Sequence, residues 1–293
     1  MGGVIRSALR LPDSHLCCQR ATPAKAYGGS LSAGSLGNPI VASRVNILGV
    51  GVSATSLTQA LVIFDAWIAS GEQHYVCVTP VHGIMDCQSE PDLRRVFNAS
   101  GLTTPDGMPL VWLLRLLGHR HVTRVYGPDL LLAACVHSVH RGYRHFFYGG
   151  GPGVAERLAD RLQARVPGLE IAGMFTPPFR PLTADEDQEV VERINAASPH
   201  LVWVGISTPK QERGMAEHRG RVRAPVMIGV GAAFDFLSGA KRQAPRWMQR
   251  NGLEWAFRLA NEPSRLWRRY LRYPRFAALL LLQALRLRSF PLV

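Results

Sequence analysis

Little in this chain can tie it together covalently or hold it across a bilayer. The five cysteines, at 17, 18, 77, 87 and 135, are scattered, odd in number and without metal-type spacing. That argues against a disulfide framework and against a zinc site, so reduced thiols are expected, with the adjacent Cys17 and Cys18 in a tail. The longest apolar stretch, Phe276–Leu282 running on to Leu285, reaches only about a dozen residues, where crossing a bilayer takes about 20. Such a segment can lie in an interface. No apolar signal-type run precedes Pro12-Asp13-Ser14-His15. Dinucleotide chemistry also lacks its marks: there is neither a Gly-x-Gly-x-x-Gly nor a Tyr-x-x-x-Lys, which weakens the reading as a Rossmann-type nucleotide-sugar oxidoreductase or epimerase. Acidic residues are scarce at one end. From Lys241 onward twelve Lys or Arg face only Glu254 and Glu262, so this segment holds +10 of the net charge of +13.

A basic terminus of that density calls for a polyanion: nucleic acid, an anionic membrane or a phosphate-bearing substrate. The first of these makes a basic-tailed nucleic-acid-binding protein the second rival reading, but no recognised nucleic-acid motif accompanies the charge. With 47% hydrophobic residues the chain has ample material for a core. Residues 1–43, rich in Gly, Ser, Ala and Pro and without period, read as a flexible extension. Between about 44 and 239, short and nearly continuous apolar runs alternate with helical patterns. Strands are expected at Tyr75–Val78, His145–Tyr148, Ile171–Met174, Leu201–Ile206 and Val226–Val230. Helices are expected over Ser56–Ala69, Leu110–Leu117, Asp129–Arg141, Val154–Arg165, Asp185–Ala196 and Lys210–His218. Strands apolar throughout suit a parallel sheet covered on both faces. The fold class is therefore α/β: a doubly wound, Rossmann-like, mostly parallel sheet. Residues 240–293 follow as a basic helical appendage of two helices, Ala244–Ala260 and Ser264–Leu287, parted at Glu262-Pro263.

In such folds ligands bind beyond the carboxyl ends of the strands, so the chemistry is sought in the segments that follow them. Tyr148-Gly149-Gly150-Gly151-Pro152-Gly153 joins a strand to a helix, where bare backbone amides and a helix N-terminus can meet a diphosphate; a plain turn is the alternative. Thr103-Thr104-Pro105-Asp106-Gly107-Met108-Pro109 is expected as a loop between helices, presenting Asp106 as a general base or forming only a turn. Thr208-Pro209-Lys210-Gln211-Glu212 follows a strand and brings Gln211 to the sheet edge. Gly229-Val230-Gly231-Ala232-Ala233-Phe234-Asp235 allows a ring or phosphate close to Gly231, or tight packing. Arg258, Arg265, Arg268 and Arg272 fall at helical spacing on one face, either a solvated stripe or a surface for membrane or pyrophosphate.

Taken in order, Thr104–Trp112, Arg124-Val125-Tyr126-Gly127-Pro128-Asp129, Tyr148–Gly153, Pro209–Glu212, Gly229–Asp235 and Ala244–Trp255 resemble the WecG/TagA/CpsF glycosyltransferases (glycosyltransferase family 26), over about residues 45–275. The resemblance implies Asp106 as the base that deprotonates the acceptor hydroxyl, Thr79, Arg124 and Gln211 in the same pocket, and Arg258, Arg265 and Arg268 closing over the site toward a membrane-held pyrophosphate. Nucleotide binding is assigned to Gly149, Gly150, Gly151, Gly153 and Gly231. The implied partners are a UDP-sugar donor, a polyprenyl-diphosphate-linked sugar acceptor and an anionic membrane surface on the cytoplasmic side of the plasma membrane, with a homo-oligomer as an option and no nucleic acid. No cofactor is expected, and with no Asp-x-Asp near a strand end catalysis is expected without a metal. The chain departs from the family at Thr79-Pro80-Val81-His82-Gly83, where many members carry asparagine. His82 is read either as sharing the acid–base work or as a structural histidine capping the loop.

Overall fold

The computed structural model describes residues 42–292. All but the last two residues of the expected extension, Cys17 and Cys18 included, lie outside them. The chain opens with a hairpin that the sequence reading did not anticipate: β1 (Arg44–Ile47) pairs antiparallel with β2 (Val50–Ser53) about Leu48-Gly49. Both turn residues are left-handed, with φ of 54° and 81°, as a two-residue hairpin turn requires. α1 (Leu57–Ser70) begins at a reciprocal cap between Ser56 and Gln59 and stops at left-handed Gly71. β3 (His74–Thr79) runs through Pro80 into α2 (Val81–Ser89) and α3 (Pro91–Ala99), then β4 (Leu102–Pro105) and α4 (Met108–Leu116).

Strict alternation follows. α5 (Gly127–Ser138), β5 (Arg144–Gly149), α6 (Val154–Arg165), β6 (Glu170–Phe175), α7 (Ala184–Ala197), β7 (Leu201–Gly205), α8 (Lys210–His218), β8 (Val226–Gly229) and α9 (Ala233–Leu237) complete the α/β part. The sheet runs β4-β3-β8-β7-β5-β6, every pair parallel. One buried cluster joins α1, α5, α6 and α9 to one face of the sheet; the other joins α2, α3, α4, α7 and α8 to the opposite face. This is the doubly wound arrangement expected. Because all six strands point the same way, Thr79, Pro105, Gly149, Gly205 and Gly229 end on one edge.

Two expectations need correction. Thr103–Pro105 is not a loop but the end of an edge strand. Proline is tolerated there because an edge strand needs no amide from it, and the Pro105 carbonyl still accepts from Val125 N at 2.9 Å. The two long terminal helices are four short ones: α10 (Arg246–Arg250), α11 (Glu254–Asn261), α12 (Pro263–Tyr270) and α13 (Tyr273–Ala284). Left-handed Gly252 breaks the first pattern, and Pro263 and Pro274 can only open helices, having no amide to continue one.

The terminal segment packs back onto the α/β part. Phe276 and Leu279 of α13 are buried in the same cluster as the hairpin, a burial worth roughly 3–6 kcal/mol for the two together. Gln283 Oε1 accepts from Leu48 N at 3.0 Å, Gln283 Nε2 donates to Asn46 O at 3.1 Å, and Asn46 Nδ2 donates to Phe290 O at 2.7 Å.

Candidate active site

Asp106 leaves the sheet one residue beyond β4. Its amide donates to Thr79 O at 3.1 Å, which ties the loop to the neighbouring strand end, and Gly107 then caps α4. The carboxylate therefore stands at the strand edge with 21% of its side chain exposed. Val125, bonded to Pro105, brings Arg124 and Tyr126 alongside. Arg124 Nε donates to the Asp106 carbonyl, and Arg124 Nη2 lies 3.5 Å from Asp106 Oδ1 but only 2.6 Å from Glu254 Oε2 on α11. The guanidinium lies 3.9 Å over the Tyr126 ring, and the Tyr126 hydroxyl donates to Glu254 Oε1 at 3.0 Å. Burial raises the Asp106 pKa to about 6, against the pull of the Arg124 charge and with the help of Glu254. A carboxylate poised there accepts a proton at neutral pH far better than an ordinary aspartate.

The ends of β3, β7 and β8 supply the other wall. His82 is buried in the first turn of α2, and its pKa is held well below the ordinary histidine value by that burial, then by Arg269, Arg258 and Arg272. It is a neutral imidazole at physiological pH. Thr79 is buried behind the wall, and its hydroxyl donates to Cys77 O at 2.8 Å, closing off the strand end. Gln211, in the first turn of α8, accepts from Gly231 N at 3.0 Å and donates to Glu212 Oε1 at 2.9 Å, so it fixes the loop after β8.

Between these walls lie two adjoining hollows. The first is lined by Val78, Tyr126, Ser207, Thr208, Gln211, Gly231 and Phe236 among others. The second is bounded by Met108, Pro109, Arg124, Trp255, Tyr270 and Tyr273. His82, Asp106, Arg258 and Arg269 border both. Arg265 borders the first, with Glu262 at 2.7 Å. Among the described residues neither Arg258 nor Arg269 has a carboxylate partner within ion-pair distance. The Arg269 pKa is lowered by burial and then by Arg258, so these cations crowd one another.

The structure thus brings Asp106, His82, Arg124, Gln211, Gly231, Arg258 and Arg265 to one cleft. Arg268 is elsewhere. It is exposed, its guanidinium 5.3 Å from the Trp267 ring, and Arg269 occupies the cleft instead. Arg265, Arg268 and Arg269 all lie on α12, and it is the i, i+4 pair Arg265 and Arg269 that faces the cleft. Arg272 pairs with Asp86. Gly149, Gly150, Gly151 and Gly153 do not border the cleft. A Cβ on Gly149 would stand 2.7 Å from the Gly205 carbonyl, and one on Gly150 would touch Val154, so at these two the need is close packing. Gly153 is the left-handed cap of α6. Sequence reasoning missed Tyr126, Glu254 and Arg269 as site residues. Glu254 lies within the motif Ala244–Trp255, and that is its one signal in the sequence. Among the described residues there is no group of three or more His, Cys, Asp or Glu able to hold a metal ion.

Among known proteins, the family model described as "Glycosyl transferase WecG/TagA/CpsF family" matches residues 45–290. The chain is 30% identical over 196 residues, 67% of its length and 74% of the relative's, to an N-acetylglucosaminyldiphosphoundecaprenol N-acetyl-beta-D-mannosaminyltransferase of Bacillus spizizenii. A protein of the same name from Bacillus subtilis is 31% identical over 186 residues, 64% of this chain and 70% of the relative.

Proposed function

The chain belongs to the WecG/TagA/CpsF family of glycosyltransferases, and on that premise we propose that it moves an N-acetylhexosamine or related sugar from a UDP-sugar to a sugar carried on a polyprenyl diphosphate. The observation that carries this reading is the meeting of one carboxylate of raised pKa with Arg258 and Arg269 around a single cleft. The donor lies in the first hollow, its diphosphate toward Arg258, Arg265 and Arg269. The acceptor sugar enters the second hollow, between α4 and the terminal helices. Asp106 takes the proton of the acceptor hydroxyl as its oxygen attacks the anomeric carbon. The bond to the diphosphate oxygen breaks on the opposite side, and UDP leaves with the electron pair. One displacement inverts the anomeric centre. Guanidinium groups held in a partly dry cleft offset the charge that grows on the leaving group. His82, neutral and beside Asp106, contacts the sugar or its attacking hydroxyl.

A lipid-linked acceptor requires the cleft to meet a bilayer, and we place the enzyme peripherally on the inner face of the plasma membrane. No helix among the described residues is long and apolar enough to cross one. The segment bearing the +10 charge exposes Trp247, Trp255, Trp267, Leu271 and Leu281, and tryptophan with arginine is the mixture that settles at a headgroup interface.

Asp106→Asn tests the reading. Transfer from UDP-N-acetylhexosamines to a short-chain prenyl-diphosphate sugar should fall by at least about a hundredfold, the lower bound for losing a general base, while UDP binding stays within about twofold. Near-normal turnover would remove Asp106 from its role.

A further inference from the structure

Arg124 faces two carboxylates and favours the one that does no chemistry. Its Nη2 is 2.6 Å from Glu254 and 3.5 Å from Asp106, while its Nε is spent on the Asp106 backbone carbonyl. Glu254 is itself held in place: it is buried at the start of α11, and its second oxygen accepts from the Tyr126 hydroxyl at 3.0 Å. Tyr126 in turn lies beneath the Arg124 guanidinium. The four groups form a closed set in which the cation is drawn from the cleft toward α11.

We propose that Glu254 is a positioning residue for the transfer reaction, a competing carboxylate that keeps Arg124 from neutralising Asp106 and so leaves Asp106 basic. An aspartate paired closely with an arginine has its pKa lowered by about 1–3 units, which makes it a poor proton acceptor. At its place in the loop Asp106 is exposed to that outcome, because its own carbonyl anchors the same guanidinium. Glu254 prevents it in two ways, by engaging Nη2 and by adding a negative charge near Asp106. The other charged and titratable groups around Asp106 are Arg258 on α11, Tyr273 on α13, and His82 and Arg269, which share the cleft border. None of these four is a carboxylate, so the acid that competes with Asp106 for Arg124 is Glu254. Since Glu254 arrives with the terminal helices, the base becomes competent only when α11 is docked beside the Asp106 loop.

This inference rests on the reading of Asp106 as the base, but its test can be run without turnover. The Asp106 carboxyl is titrated by side-chain carbon NMR in the full-length protein, assigned by its loss in Asp106→Asn. Glu254→Gln, which keeps the shape and one hydrogen-bond acceptor, should lower the Asp106 midpoint by about one unit or more as Arg124 turns to it. Glu254→Asp, which keeps the charge, should hold the midpoint near its normal value. With a lipid acceptor the acid limb of kcat/KM should shift in parallel, and kcat at pH 7.5 should drop several-fold with little change in the KM for the donor. A Glu254→Gln midpoint equal to the unsubstituted protein's, or a Glu254→Asp midpoint displaced as far as that of Glu254→Gln, would overturn the proposal. An unsubstituted protein that titrates as expected yet transfers from no UDP-sugar would instead overturn the function proposed above and leave this assignment standing.

Discussion

Gly149 and Gly151 lie two residues apart, and substitution by alanine should destabilise the protein at the first and leave it nearly unchanged at the second. At Gly149 a Cβ would meet the Gly205 carbonyl carbon and oxygen at 2.7 Å, backbone against backbone on two central strands, and φ is 126°. Neither strand can retreat without breaking its ladder. Overpacking costs about 1–3 kcal/mol, and a side chain at such a φ adds about 1–3 kcal/mol, so Gly149→Ala should lose roughly 2–6 kcal/mol. At 2–4 °C per kcal/mol for a domain of this size, the melting temperature should fall by about 10 °C. At Gly151 φ is not positive and the nearest neighbour of a Cβ is Val154 Cγ2 at 3.9 Å. The change there should stay within about 0.5 kcal/mol. Thermal unfolding followed by fluorescence gives both values, and calorimetric titration with UDP gives the second half of the argument. If the turn serves packing, UDP affinity in Gly151→Ala is unchanged. A Gly149→Ala protein that melts no lower would refute the packing argument, and a Gly151→Ala protein that binds UDP tenfold more weakly would refute the placement of the nucleotide away from this turn.

Two further predictions concern the cleft. Asp106 has a folded pKa of about 6 against an ordinary 3.8, so the folded state binds its proton more tightly than the unfolded chain. The penalty is absent at pH below 3.8 and complete above 6, at roughly 3 kcal/mol for a shift of about two units. Asp106→Asn should therefore raise the melting temperature by several degrees at pH 8 and by little at pH 3.5, as paired melts in the two buffers would show. Arg269→Ala should weaken UDP binding and slow transfer about tenfold or more, the scale of losing a hydrogen bond to a charged group, whereas Arg268→Ala should leave both intact and reduce co-sedimentation with anionic vesicles. Equal effects of the two substitutions on transfer would contradict the register seen in α12.

The parallel sheet was legible because strands covered on both faces must be apolar throughout, and Leu201–Gly205 and Val226–Gly229 accordingly show no alternation of polar and apolar residues. The helices expected over Val154–Arg165 and Lys210–His218 form with those bounds. By contrast α2 was invisible: Val81, His82, Gly83, Ile84, Met85 and Cys87 are all buried, so no polar face marks its period. β4 was hidden by Pro105-Asp106-Gly107, whose turn chemistry outweighs four residues of strand. Within the site, Asp106 stood out because the backbone restraint around it is local. Glu254 could not, since its meaning lies in Arg124, 130 residues earlier, and nothing in either neighbourhood announces the other. Arg268 and Arg269 are adjacent and point about 100° apart on the helix, and their sequence alone does not say which of them shares the face of Arg265.

Arg258, Arg265 and Arg269 reach the cleft from two separate short helices, and like charges so close push those helices apart. A diphosphate settling among them would act as a mortar, turning mutual repulsion into shared attraction. Such a ligand would be a structural part of its own binding wall, and the wall would be firmest while it is present. On the function proposed above, release of the nucleotide diphosphate would work against the cohesion of the site.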